Sequence, residues 1–330
     1  MNTPQHPPRQ SLIIAAFAAI YLIWGSTFIA VLIAIRDIPP FLMGGIRFTT
    51  AGIILFIYAR VKKHSVPPPK DSARIALTGV MTLFFGTGAV AFVEQYISSG
   101  FAAIVVATVP IWFILLDKRQ WVANFSNKWI VAGLLIGFIG VLTLFADKNS
   151  LDFSGDPMKI WSVFILLAGT MCWAIGSLYS KYAVLSGSTL MKASIQMIGA
   201  GLVSLSAGFL YGEHHHFTIS QVTRDSLFAL LYLIFIGSLI GYIAYFWLLS
   251  VRSPAIVGTY AYVNPVVAVF LGWLIAGETI SGQQVIALTV IVSGVVLVTF
   301  SKKKKQKVSS HFPNTQNDGY ANLERLSGKK

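Results

Sequence analysis

The chain is 330 residues long, 55% hydrophobic and only 11% charged, with a mean hydropathy of +0.71. Soluble domains carry about one quarter charged residues, so a water-soluble globular protein is excluded, and no polar block is long enough to build a separate soluble domain. A formal charge of +13 would suggest a nucleic-acid partner in a soluble chain; here nearly all of it falls in loops and tails between apolar runs, which argues against nucleic acid.

A helix needs about 20 mainly apolar residues to cross the hydrocarbon of a bilayer. After a polar N-terminus at 1–10, the apolar stretch from Ser11 to about Ile35 is too long for the core of a secretion signal and lacks a small-residue cleavage site, so it is expected to be a retained first helix. Further spans are expected near 41–59, 75–97, 101–116 and 129–146, with a tight reversal at Ser98-Ser99-Gly100. An external linker at 147–159 leads to a second set near 160–180, 193–211, 227–251, 254–276 and 282–300. The expected fold class is an all-α polytopic membrane protein of ten transmembrane helices. The tail at 301–330 opens on SKKKKQK and turns polar, a composition that builds no core and predicts disorder. Its lysines serve as a topology anchor or touch anionic lipid headgroups, at about 1 kcal/mol per basic residue.

Basic residues are retained on the cytoplasmic face. With the N-terminus inside, twenty of the 25 Lys and Arg fall on the cytoplasmic side; Arg36, Lys148, Lys159 and Arg224 fall outside, and Arg47 lies within a span. Both termini are therefore expected in the cytoplasm of a cell with a bacterial-type inner membrane. The lone Cys172, flanked by Met171 and Trp173, excludes an intramolecular disulfide and reads as a packing residue.

The two halves echo one another. A shift of 149 residues sets Trp24 on Trp173 and 44–53 (GGIRFTTAGI) on 193–202 (ASIQMIGAGL); a shift of 155 sets 98–112 on 253–267, with Pro110 on Pro265. Each repeat holds five spans, an odd number, so the second copy enters the membrane inverted. Such paired halves can rock to expose a site between them to either side. The stretches IWGSTFIA (23–30), PPFLMGGIRFTTAGIILF (39–56), CWAIGSLYSKY (172–182) and SPAIVGTYAYVNPVVAVFLGWLIAGETIS (253–281) carry a family likeness over residues 11–300. The chain resembles EamA-type members of the drug/metabolite transporter superfamily, the YedA-like group most of all. The resemblance implies two EamA repeats, at 11–146 and 160–300, and export of amino acids or related metabolites. One departure is the pair Gly277-Glu278, since Ala123 stands where symmetry would set a second Glu278.

A transporter site is expected where matching spans of the two halves are interrupted. Pro110 and Pro265 lie near mid-span, each freeing a carbonyl about one turn earlier, near Val106 and Ala261. Thr108 precedes the first proline; Tyr260, Tyr262 and Asn264 precede the second. Trp24, Ser26 and Thr27 on the first span, and Trp173 and Ser177 on the sixth, complete the expected substrate-binding set. Ionisable groups at membrane depth cost about 2.5–3.5 kcal/mol on insertion scales. Arg47 and Glu94 lie at similar depth, which predicts an ion pair, either structural or coupling transport to protons.

Other motifs have plainer readings. Gly86-Thr-Gly88 sits inside an apolar span with no strand before it, so it is helix packing and no dinucleotide site. Gly133 with Gly137 and Gly237 with Gly241 have the small-xxx-small spacing of close helix approach, which permits a homodimer. The run His214, His215, His216 belongs to an outer loop. No phosphate-binding loop follows a strand, so neither an ATP-driven pump nor a cofactor is indicated. A membrane-embedded enzyme would lack an acid, base or nucleophile at depth, because all six histidines fall in loops or tails. A non-transporting scaffold would need no inverted repeat. The expected partners are a small-molecule substrate and membrane lipids.

Overall fold

The computed structural model describes residues 9–97, 99–144, 157–276 and 282–300. Ser98, most of the linker expected at 147–159, the Gly277-Glu278 pair and the tail at 301–330 lie outside the described residues. Among the described residues there are helices and no strands: α1 (Gln10–Ala34), α2 (Pro40–Val61), α3 (Pro69–Val93), α4 in two pieces (Ser99–Val106 and Val109–Leu116) and α5 (Lys128–Leu144). The second half holds α6 (Pro157–Tyr182), α7 (Thr189–Leu210), α8 (Arg224–Val251), α9 in two pieces (Pro254–Val257 and Tyr260–Ala276) and α10 (Gly282–Phe300).

Eight of these are long and apolar enough to cross a membrane. The expected fourth and fifth spans differ. A turn at residues 107–108 splits α4, leaving the shorter apolar helix Ala102–Leu116, and α5 reaches span length only with the preceding Lys118–Phe125, from which it bends by 94°.

Local chemistry sets the helix ends. Pro40 and Pro69 occupy first helical positions, where a missing N–H is harmless. Ser188 and Thr223 cap α7 and α8, accepting from Met191 N at 3.2 Å and Ser226 N at 3.3 Å. Just past α2 and α7 the chain turns through left-handed residues at corresponding places, Lys63 (φ 62°) and Gly212 (φ 79°).

Large apolar side chains such as Leu22, Ile57, Phe164 and Phe235 point outward. Lipid accepts that surface, while small residues inside let backbones approach. A Cβ on Gly52 would lie 2.8 Å from Ile198 N, and one on Gly201 would lie 2.5 Å from Thr49 N, so α2 and α7 touch backbone to backbone twice. α5 and α10 do likewise: a Cβ on Gly140 would meet Ile291 N at 2.8 Å, and one on Gly294 would meet Gly137 N at 2.5 Å. Gly133, Gly137, Gly237 and Gly241 thus pack within the chain, against Gly294, Tyr262, Arg47 and Trp24. The faces that permit a homodimer on paper are already occupied.

Several polar ties join the halves at their ends. Asp37, between α1 and α2, accepts from Thr223 N (2.9 Å) and Thr223 Oγ1 (2.6 Å) at the start of α8. Asp71, in the first turn of α3, accepts from the backbone N of Ser186 (3.1 Å) and from its hydroxyl, between α6 and α7. Glu213, after α7, accepts from Phe41 N (3.1 Å) and Leu42 N (2.8 Å), capping α2 where its free amides and dipole attract an anion. Burial pushes the Glu213 carboxyl above the usual carboxylate range, and the Leu42 and Phe41 amides pull it partly back.

Candidate functional site

The middle of α3 and of α8 is wound as π-helix, at Val80–Gly88 and Leu233–Tyr242. A π turn widens the helix and draws carbonyls off the regular ladder, a form found mostly at functional positions. Here the Gly237 carbonyl accepts from Trp24 Nε1 at 3.2 Å. Both π segments face one cavity of about 100 Å³, bounded by α1–α4 and α6–α9. Leu83, Gly86 and Thr87 line it from α3; Gly237, Ser238 and Tyr242 line it from α8.

An aromatic cluster closes one part of the wall. Trp24 meets Trp173 edge-on at 5.5 Å and Tyr260 at 4.8 Å, and both indoles lie about the Tyr245 ring, at 5.1 Å and 5.3 Å. Edge-on and tilted geometries are those ring quadrupoles favour. Tyr245 OH accepts from Trp173 Nε1 at 3.1 Å and bonds Ser177 Oγ at 2.7 Å, so the indole is held rigidly.

Two polar groups in the wall stand out. Arg47 is 5% exposed, donates from Nε to Ser238 Oγ at 2.9 Å and lies over the Phe48 ring at 4.8 Å. Asn264 is 3% exposed, and its side-chain oxygen has no hydrogen-bond partner. Among the described residues no carboxylate lines the cavity.

The structure divides the expected site residues. Trp24, Thr27, Trp173, Tyr260, Asn264 and Arg47 come together on the cavity wall. Ser26 turns away, bonding Ile23 O and Tyr232 OH beside a separate apolar groove. Thr108 bonds its own helix at Val105 O, and Ser177 is spent on Tyr245. Pro110 and Pro265 are buried behind the wall that Val109 and Asn264 form. The break in α9 also falls at residues 258–259, ahead of Pro265, which sits inside a continuous helix.

Two expectations need correction. Tyr262 packs on Gly137 of α5 and donates to Leu134 O at 3.0 Å, away from the cavity. Arg47 is tied to Ser238 in place of Glu94, and among the described residues these two form no salt bridge. Tyr262→Phe should therefore lower thermal stability by about 1 kcal/mol, the worth of one buried hydrogen bond, with solute binding unchanged. A melting curve with and without solute would show the opposite pattern if Tyr262 were a cavity residue.

Sequence reading missed Phe28, Phe48, Thr170, Ser238 and Tyr242 on the wall. Ser238 had a signal, as the only hydroxyl of an otherwise apolar run (LIFIGSLIG, 233–241).

Comparison with known proteins agrees with this architecture. The family model described as the EamA-like transporter family matches residues 11–146 and 160–300. The inner membrane transporter YedA of Escherichia coli (strain K12), itself uncharacterized, is 38% identical over 296 residues, 89% of this chain and 93% of its own. A probable amino-acid metabolite efflux pump of Salmonella typhimurium (strain LT2) is 24% identical over 290 residues, 85% of this chain and 92% of its own. A solved structure at 19% identity superposes with a TM-score of 0.70, covering 88% of this chain and 97% of the other, a likeness of fold alone.

Proposed function

The chain belongs to the EamA-like transporter family and is a multi-pass inner-membrane protein, and from that premise we propose that it is a secondary transporter exporting amino acids or related small metabolites by alternating access. Its ten helices form two inverted five-helix repeats, α1–α5 and α6–α10, with both termini in the cytoplasm. The observation that carries this reading is the central cavity, to which both repeats contribute the same parts: a π-helical stretch, a tryptophan and an interrupted helix.

Reciprocal packing supports the inversion. Under the 149-residue shift Gly52 corresponds to Gly201 and Thr49 to Ile198, so the contact of Gly52 with Ile198 is the image of the contact of Gly201 with Thr49. Under a shift of 154, Gly140 against Ile291 is likewise the image of Gly294 against Gly137. The left-handed turns at Lys63 and Gly212 correspond under the first shift as well. Contacts that exchange in this manner are what a twofold axis between two copies produces.

The ties at the helix ends suit a rocking mechanism. Asp37–Thr223 and Asp71–Ser186 join the loop after the first helix of one repeat to the start of the third helix of the other, at opposite ends of the spans. In the proposed topology the first faces the exterior and the second the cytoplasm. Opening either face requires separating the halves there. Export as the direction rests on the relative named as an efflux pump.

Reconstituted protein preloaded with an unlabelled amino-acid mixture should take up labelled amino acids by counterflow. Asn264→Ala and Trp24→Ala should lower the rate about tenfold or more while inserting normally, since a buried polar contact and a large aromatic surface are each worth about 1–3 kcal/mol. Counterflow at the parental rate in both variants would move the site elsewhere. No counterflow of any amino acid by the parent would remove that substrate class.

A further inference from the structure

We propose that Arg47 is the substrate anchor, binding a carboxylate on the transported solute; this rests on the central cavity being the transport site. A guanidinium at membrane depth is expensive unless something of opposite charge meets it. Arg47 is almost wholly buried and lines the cavity, and among the described residues no carboxylate shares that wall. Among the described residues its guanidinium makes one hydrogen bond, from Nε to Ser238 Oγ, and stacks on Phe48. Those two contacts fix the plane of the group and leave the Nη donors uncommitted. Nη2 lies beside Gly237, 3.2 Å from where a Cβ would be, so the absence of a side chain there keeps that edge open.

The corresponding residue in the other half acts as an internal control. Gln196 occupies the place of Arg47 under the 149-residue shift, is fully buried, and has its valences spent. Its Nε2 donates to Thr78 Oγ1 at 2.7 Å and to Ser180 Oγ at 3.2 Å, while Tyr242 OH approaches its Oε1 at 3.5 Å. One copy of this position holds helices together; the other carries a charge and unspent donors into a cavity.

A single arginine matches a singly charged, planar acceptor. The guanidinium fork meets a carboxylate edge to edge through two parallel N–H bonds, whereas a phosphate dianion would keep half its charge unmet. The unpartnered amide oxygen of Asn264 offers a second polar contact, and Trp24, Phe48 and Tyr260 supply an apolar surface. The solute class is therefore a small monocarboxylate with an apolar body, which includes α-amino acids and excludes simple amines.

The test uses the full chain with Cys172→Ser and a reporter thiol at Thr87→Cys on the cavity wall. Anionic sulfonatoethyl and cationic trimethylammonioethyl methanethiosulfonates are compared, each rate divided by that with a free thiol. The anionic reagent should be favoured about tenfold, the preference should fall toward one in Arg47→Gln, and it should persist in Arg47→Lys. Millimolar 3-phenylpropionate should slow labelling, and phenethylamine, which lacks the carboxylate, should not. No charge preference in the parent, protection by the amine alone, or protection by neither compound would each overturn the anchor while leaving a transport cavity in place. Failure of both reagents to reach Thr87→Cys would overturn the open cavity itself.

Discussion

Asp37→Ala and Asp71→Ala are expected to bias the protein in opposite directions, the first toward an outward-open form and the second toward an inward-open one. Each substitution removes the only carboxylate of one tie: Asp37, on the loop after α1, holds the start of α8, and Asp71, at the start of α3, holds the loop before α7. The Thr223 hydroxyl holds the Asp37 carboxyl below the usual carboxylate range. Its contribution is therefore complete at neutral pH and is lost only as pH falls through that lowered value. A ligand-free transporter divides its time between states separated by a few kcal/mol, so one tie is enough to move the populations. The reporter at Thr87→Cys, labelled by an impermeant reagent in right-side-out and inside-out vesicles, reads the outcome. Asp37→Ala should raise external and lower internal labelling, and Asp71→Ala should do the reverse. Net transport should drop in both, because a cycle slows when either half-step becomes unfavourable. Equal labelling from both faces in both variants would reduce the ties to loop fastening.

Gly79→Val should abolish most of the folded protein. A Cβ at Gly79 would lie 2.1 Å from the Gln196 carbonyl oxygen and 2.5 Å from its carbon, so the obstacle is main chain and cannot rotate away. Moving α7 aside would also pull Gln196 from Thr78 and Ser180, stranding buried polar groups. Overpacking costs about 1–3 kcal/mol when side chains can adjust, and a backbone obstacle with lost buried hydrogen bonds exceeds that range. Gly282→Ala is the matched control, since nothing lies within 4 Å of its Cβ position. Size-exclusion profiles in mild detergent should show a monodisperse peak for Gly282→Ala and mainly aggregate for Gly79→Val. A normal peak for Gly79→Val would mean that α3 and α7 are not packed as described.

Helix positions were legible because each span must be apolar for its full length: the run expected at 41–59 is helix from Pro40 to Val61. The same uniformity hides which way a residue faces. Trp24 and Ser26 are two positions apart on α1, yet one lines the cavity and the other bonds Tyr232 on the far side. In a soluble helix a polar stripe would have marked the difference; in lipid both sides are apolar. Arg47 and Glu94 were matched by depth, which sequence spacing supplies; the tie of Arg47 to Ser238 depends on azimuth, which spacing does not supply. The π segments add a second obscurity, because they rotate Ser238 and Tyr242 away from the faces a regular helix would give them. Repeats fared better: pairing Trp24 with Trp173 asks only for order and distance along the chain.

Two of the end ties carry their acid on opposite partners, on the loop in Asp37–Thr223 and on the helix start in Asp71–Ser186. Consider a dimer built from two copies of the first half alone, one turned over. Both of its faces would set Asp37 against Asp71, carboxylate facing carboxylate, and assembly would meet repulsion twice. Two copies of the second half would set Ser186 against Thr223 and Ser226, with hydroxyls on both sides and neither Asp37 nor Asp71 to accept from them. Only the mixed pairing satisfies both faces, so neither half retains the means to replace the other.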